Sequence, residues 1–240
     1  MKASGTGVRG VDTGMAARLA DGFRRLCFAI ALILSWAPAH IAPAAAQSPG
    51  SAGKKPLTIV MLGDSLTAGY GLPQAAALPA VLERLLNAKG RAVRIENAGV
   101  SGDTASGGLD RLDWAVGEGI DGVIVALGAN DMLRGIDPEV TRKALAEIVA
   151  RLKERRIPVM LVGMRASPNL GADFVSRFDG LYPALAEAEG LVLYPFLLEG
   201  VATDRRLNQP DGIHPTAEGI ERIAGMMLPK VEEFLDRLRS

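Results

Sequence analysis

The sequence predicts an α/β fold: a three-layer α/β/α sandwich doubly wound around a five-stranded parallel sheet. Two observations carry that expectation. Short, unbroken apolar runs recur along the chain, and helix-forming segments separate them. Strands buried on both faces read as continuous apolar runs, and helical connections make neighbouring strands parallel. Right-handed crossovers then place helices on both faces of the sheet.

The elements follow in order. Leu57 to Leu62 is an apolar run and the first strand. Ala75 to Lys89 predicts a helix, with Leu78, Val81, Leu82, Leu85 and Leu86 at helical spacing. Ala92 to Glu96 is a shorter, more polar second strand, and Asp103 to Val116 a helix weakened by Gly107 and Gly108. Gly122 to Leu127 is a fully apolar third strand. Asp137-Pro138 opens a helix running to about Arg155, because Asp caps well and Pro suits the first helical position. Pro158 to Val162 is the fourth strand, Asp173 to Glu189 a helix disturbed at Pro183, and Leu191 to Tyr194 the fifth strand. Pro215 opens the last helix, which Pro229 kinks. No internal repeat is visible.

Residues 1–46 have the pattern of a secretory leader. Arg24 and Arg25 precede the nine-residue apolar run Leu26 to Leu34, and Ala44-Ala45-Ala46 offers a cleavage site before Gln47. The run is short for a membrane span, which needs about 20 residues. Residues 47–55 form a linker of small and polar residues, and 56–240 one domain; 194 residues after the leader suffice for a single core. The lone cysteine, Cys27, leaves with the leader, so no disulfide is expected. The remaining chain has 22 basic and 25 acidic groups, a net charge of −3. That balance argues against a nucleic-acid binder, which would cluster Lys and Arg.

His214 is the one histidine outside the leader, in Asp211-Gly212-Ile213-His214-Pro215. A serine needs a base to become a nucleophile at neutral pH, and a carboxylate must then orient that base. Ser65 follows the first strand by three residues, and Asp211 precedes His214 by three. In open parallel sheets, sites form beyond the C-terminal ends of the strands. Gly102 follows the second strand there and Asn130 the third, so one sheet edge collects a hydroxyl, a flexible amide, a carboxamide and an Asp–His pair. Acyl transfer needs that set. Asp64 is expected to bond nearby backbone, and Asp103 and Asp131 to cap loops, since neither a calcium-loop pattern nor a second imidazole accompanies them. The loop Met164 to Gly171 either lines a cleft or is plain surface. Met132 and Leu133 are candidate acyl contacts.

Four blocks carry a resemblance to a known family: Gly63-Asp64-Ser65-Leu66-Thr67-Ala68-Gly69-Tyr70, Asn97-Ala98-Gly99-Val100-Ser101-Gly102-Asp103-Thr104, Gly128-Ala129-Asn130-Asp131, and Asp211-Gly212-Ile213-His214-Pro215. In that order, the chain resembles the SGNH (GDSL) hydrolases over nearly its whole length after the leader. It is closest to the secreted bacterial branch with thioesterase I, arylesterases and lysophospholipases. The resemblance implies a flavodoxin-like strand order 2-1-3-4-5. It implies Ser65 as nucleophile, His214 as base and Asp211 as its orienter. Ser65, Gly102 and Asn130 would form the oxyanion hole, with no cofactor and no metal. Ala129 departs from the family's common Gly; its methyl fits if φ is negative there. Gly63 to Thr67 lacks the second glycine of a G-x-S-x-G elbow, which disfavours the ordinary α/β-hydrolase fold. The expected partner is a small acyl ester or lipid, with no membrane anchor once the leader is gone, and the chain a secreted or periplasmic monomer. Two alternatives stay open at this point: a carbohydrate O-acetylesterase of the same superfamily, and a non-catalytic lipid- or glycan-binding module.

Overall fold

The apolar run that begins at Leu57 becomes an interior strand of the sheet. The computed structural model describes residues 55–239; the expected leader (1–46), and all of the expected linker (47–55) except Lys55, lie outside them. β1 (Leu57–Gly63) pairs in parallel with β2 (Val93–Gly99) on one side and β3 (Gly122–Ala126) on the other. β4 (Val159–Val162) and β5 (Val192–Tyr194) continue the sheet, giving the order β2-β1-β3-β4-β5, all parallel. Ile59 to Leu62 and Val123 to Val125 are wholly buried because helices cover both faces.

The covering helices explain themselves by pattern. α1 (Ser65–Ala68) is a single turn directly after β1. α2 (Leu78–Ala88) and α8 (Ala217–Arg237) pack together on one face. In α8 the buried Ile220, Ile223, Ala224, Met227, Val231, Phe234 and Leu235 recur at helical spacing, so one stripe meets the sheet. On the other face, α6 (Pro138–Glu154) packs against both α3 (Ala105–Asp110) and α7 (Ala172–Glu189). Asp137 caps α6 by accepting from the Glu139 amide, as its sequence predicts.

Several boundaries differ from expectation. The helix predicted from Ala75 is a 3₁₀ turn at Gln74–Ala76, an extended Ala77, and then α2, with Pro79 in its first turn. The helix predicted over Asp103 to Val116 splits at Arg111 into α3 and α4 (Leu112–Ala115). The Arg111 side chain there turns inward to bond strand-end carbonyls. β2 extends three residues further, through Asn97, Ala98 and Gly99; on an edge strand those residues keep partial exposure, so no apolar run marks them. α8 starts at Ala217 under a Thr216 cap, not at Pro215, because Pro215 is engaged in a bridge with Asn208. Both α7 and α8 run on through their internal prolines. The unforeseen α5 (Ala129–Leu133) begins at the third motif block.

Candidate active site

Every strand end at one edge of the sheet hands the chain to a tight turn. After β1, Asp64 caps α1 by accepting from the Leu66 amide (3.0 Å), which sets Ser65 in the first helical position. Asp64 is 1% exposed, and that bond is its carboxylate's one hydrogen bond among the described residues. Burial pushes its carboxyl up to about 6; the nearby Asp103 and Asp131 add to the rise, while the Leu66 bond and His214 oppose it.

His214 arrives from a hairpin. Asn208 bridges Pro215, Thr216 N–H donates to Leu207 O, and the turn closes with Gly212 N–H on Gln209 O. Gln209 fastens this hairpin to the first loop, its Nε2 donating to both Tyr70 O and Pro215 O. Tyr70 lays its ring 4.5 Å from the imidazole, centroid to centroid. In that setting His214 Nε2 lies 2.8 Å from Ser65 Oγ, and Nδ1 lies 2.7 Å from Asp211 Oδ2. Asp211 Oδ1 accepts from the Ile213 and His214 amides. The His214 bond first, and then those two amides, hold the Asp211 carboxyl down at about 2. It is therefore ionised at neutral pH.

Gly102 follows β2 with φ +87°, a conformation that favours glycine. Its amide donates to no protein acceptor among the described residues. After β3, Gly128 turns the chain with φ +115°, and a Cβ there would sit 2.0 Å from the Tyr182 hydroxyl. Tyr182 donates from that hydroxyl to Leu127 O, deep in the core. Ala129, next in line, has no positive φ and begins the right-handed turn of α5, so its methyl is accommodated. Asn130 then donates one Nδ2 proton to Asp103 O (2.9 Å), which fixes the carboxamide and leaves its second proton for the cavity it lines.

Buried polar bonds lock these loops together. Asp131, fully buried, accepts from the Ala105 amide and from Thr141 Oγ1. Arg111 pairs with Asp103 (2.5 Å) and donates to Gly63 O and Ala98 O, the ends of β1 and β2. Arg134 donates to Gly102 O (2.7 Å). Asp64 and Asp131 accept from backbone amides as expected, whereas the Asp103 carboxylate pairs with Arg111 and the cap of α3 falls to Thr104. Among the described residues, no three His, Cys, Asp or Glu side chains are grouped as a metal site would require.

A cavity of about 430 Å³ opens over Ser65 and His214. Gly102 and Asn130 line it, as do the sequence candidates Met132 and Leu133, and Met164 from the loop after β4. Sequence reasoning missed Leu198, Ala202, Thr203 and Ile213, which complete the wall, as well as Tyr70, Gln209, Arg111 and Arg134. The Ile213 position inside the last motif and Tyr70 at the end of the first were the available signals.

Residues 61–222 match the family model of the GDSL-like lipase/acylhydrolases. The chain belongs to that family. Esterase TesA of Pseudomonas aeruginosa is 35% identical over 179 residues, covering 74% of this chain and 89% of that protein. An arylesterase of Vibrio mimicus is 35% identical over 178 residues, with the same coverages. Among solved structures, AlinE4, an SGNH-hydrolase family esterase, is 44% identical with a TM-score of 0.64, covering 76% of this chain and 98% of that one. The chain is accordingly a serine esterase of the SGNH type, a carboxylic ester hydrolase, on the flavodoxin-like sheet that its motifs imply.

Proposed function

We propose that Ser65, His214 and Asp211 are the catalytic triad of this esterase, acting on acyl esters and thioesters of apolar acids through an acyl-enzyme. The observation that carries the reading is the unbroken relay from Ser65 Oγ through the imidazole to an ionised Asp211, placed at the floor of an apolar cavity. His214 Nε2 takes the hydroxyl proton as Oγ bonds to the acyl carbon. The amides of Ser65 and Gly102 and the free Nδ2 proton of Asn130 hold the resulting oxyanion. Collapse breaks the bond to the leaving group, which takes the proton from His214. A water molecule then repeats the sequence and frees the acid.

Aryl esters, acyl thioesters and lysophospholipids all fit this scheme. The apolar side chains of Leu66, Met132, Leu133, Met164 and Leu198 favour an alkyl acid over an acetylated sugar. A non-catalytic module would have no use for a hydroxyl aligned on an imidazole. The leader pattern supports export to the periplasm or beyond, with cleavage after Ala46. Among the described residues no helix is long and apolar enough to cross a membrane. The test is Ser65→Ala: p-nitrophenyl butyrate turnover and fluorophosphonate labelling should both vanish while the circular dichroism spectrum stays unchanged. Turnover equal to the parent's would overturn the triad.

A further inference from the structure

Tyr70 leaves 53% of its surface in water, yet its backbone is pinned on both sides. Its amide donates to Ser65 O (3.1 Å), the carbonyl of the residue that bears the hydroxyl. Its own carbonyl accepts from Gln209 Nε2 (2.8 Å), and the same nitrogen donates to Pro215 O (2.9 Å), one residue past the imidazole. Two glycines flank it, Gly69 with φ +79° and Gly71 with φ +74°, both in the left-handed region. A Cβ on Gly69 would lie 2.7 Å from the Ala77 Cβ, and one on Gly71 would lie 2.5 Å from Gln209 Oε1. The Gln209 side chain is held by its two bonds, so it has no freedom to give way. Burial of the ring does not account for this mount, because half the ring is wet. Nor does the phenol, which has no hydrogen bond among the described residues.

The ring's neighbour is the imidazole. The Tyr70 and His214 centroids are 4.5 Å apart, with 33° between the planes. Both imidazole nitrogens are engaged, Nε2 with Ser65 Oγ and Nδ1 with Asp211 Oδ2. The faces of the imidazole remain open to another group, and Tyr70 lies against one. An aromatic face is the negative part of the ring's quadrupole, and it attracts a cation within about 6 Å of its centroid. A neutral imidazole gains little from that attraction, whereas an imidazolium gains. The imidazolium forms when Ser65 Oγ bonds to the acyl carbon and gives its proton to Nε2, and it discharges when that proton goes to the leaving group. It forms again when water attacks the acyl-enzyme. An attraction that appears only with this charge lowers the barrier without tightening the binding of substrate.

We propose that Tyr70 is a positioning residue whose π face stabilises the His214 imidazolium during acyl transfer, with Gly69, Gly71 and Gln209 as its mount. The role rests on the triad reading above and adds a member to it. Tyr70 itself takes and gives no proton.

The experiment measures kcat and KM for p-nitrophenyl acetate in the full chain carrying Tyr, Phe, monofluorinated Phe, trifluorinated Phe or Leu at position 70. Fluorine withdraws charge density from the ring face while nearly keeping its shape, so a packing role would not respond to it. Y70F keeps the ring and should retain most of the parent's kcat. From Y70F, kcat should fall stepwise along the fluorinated rings, reaching about a tenfold loss in Y70L, with KM within about twofold of the parent throughout. If Y70L fails to fold, the fluorinated rings decide alone. A kcat that is flat along the fluorinated rings, a loss in Y70F as large as that in Y70L, or an effect carried by KM alone overturns the proposal. In that case, loss of turnover in Ser65→Ala leaves the triad standing. Turnover in Ser65→Ala equal to the parent's removes the triad and this role with it.

Discussion

Replacing Asp64 with Asn should stabilise the protein, and the gain should grow with pH. Asp64 is 1% exposed, and its carboxylate has a single hydrogen bond among the described residues, from the Leu66 amide. Its carboxyl is raised from 3.8 to about 6, chiefly by burial. A carboxyl with a raised native value keeps its proton in the folded state after the unfolded chain has lost it. Between those two values the native state binds the extra proton, so stability falls as pH rises. The full cost, reached above about pH 6, is about 3 kcal/mol at 1.36 kcal/mol per unit. About 1 kcal/mol of it is present at pH 4.5 and nearly all of it at pH 8, so about 2 kcal/mol develops between them. Asn keeps an oxygen for the Leu66 amide and removes the charge. Urea denaturation of parent and variant at both pH values isolates the effect, because all other titrating groups are common to the two chains. The difference in unfolding free energy, variant minus parent, should rise by about 2 kcal/mol from pH 4.5 to pH 8. A difference that stays flat, or falls, refutes the assignment of an electrostatic cost to this buried carboxylate.

Three further substitutions test the site and its surroundings. Asp211→Asn should lower kcat by about 10⁴-fold, because the imidazole loses the acceptor that sets its tautomer. The depressed carboxyl contributes stability that is present above 3.8 and lost as pH falls toward about 2, so acid unfolding of the parent below pH 4 should be steeper than that of this variant. Asn130→Ala should cost about 10²- to 10³-fold in kcat with little change in KM, measured with p-nitrophenyl butyrate. Gly128→Ala should destabilise by about 2–4 kcal/mol in urea, since its Cβ would lie 2.0 Å from the Tyr182 hydroxyl at φ +115°.

What was legible in the sequence is what is local. The five strands were visible where burial on both faces demanded apolar runs, as in β1 and β3. The polar end of β2 was not, because an edge strand places no such demand on Asn97 or Gly99. Ser65, Gly102 and Asn130 were readable because each follows a strand within a short motif, and Asp211 and His214 because they share one. Gln209, Arg111 and Arg134 were not, since each acts across the fold. Gln209 holds Tyr70, 139 residues away, and Arg111 holds Gly63, 48 residues away. No periodicity or spacing marks such a partner. The false start of α8 at Pro215 has the same origin: a proline favours the first helical position, but the long-range bridge to Asn208 claims it first.

These long-range bonds answer a problem that the motifs alone leave open. The proposed donors for an oxyanion come from three separate loops, after β1, β2 and β3, and they would stabilise developing charge only if they hold their positions before it forms. Loops at a sheet edge would ordinarily be the mobile part of the molecule. Here each is tied to its neighbour through a group that is itself fixed: Asn130 to Asp103 O, Asp131 to the Ala105 amide, and Arg111 to the ends of β1 and β2. Burying Asp64 beside Ser65 works against stability, whereas Asp131 and Arg111 spend their hydrogen bonds across loops. The network therefore places stiffness at the three donors.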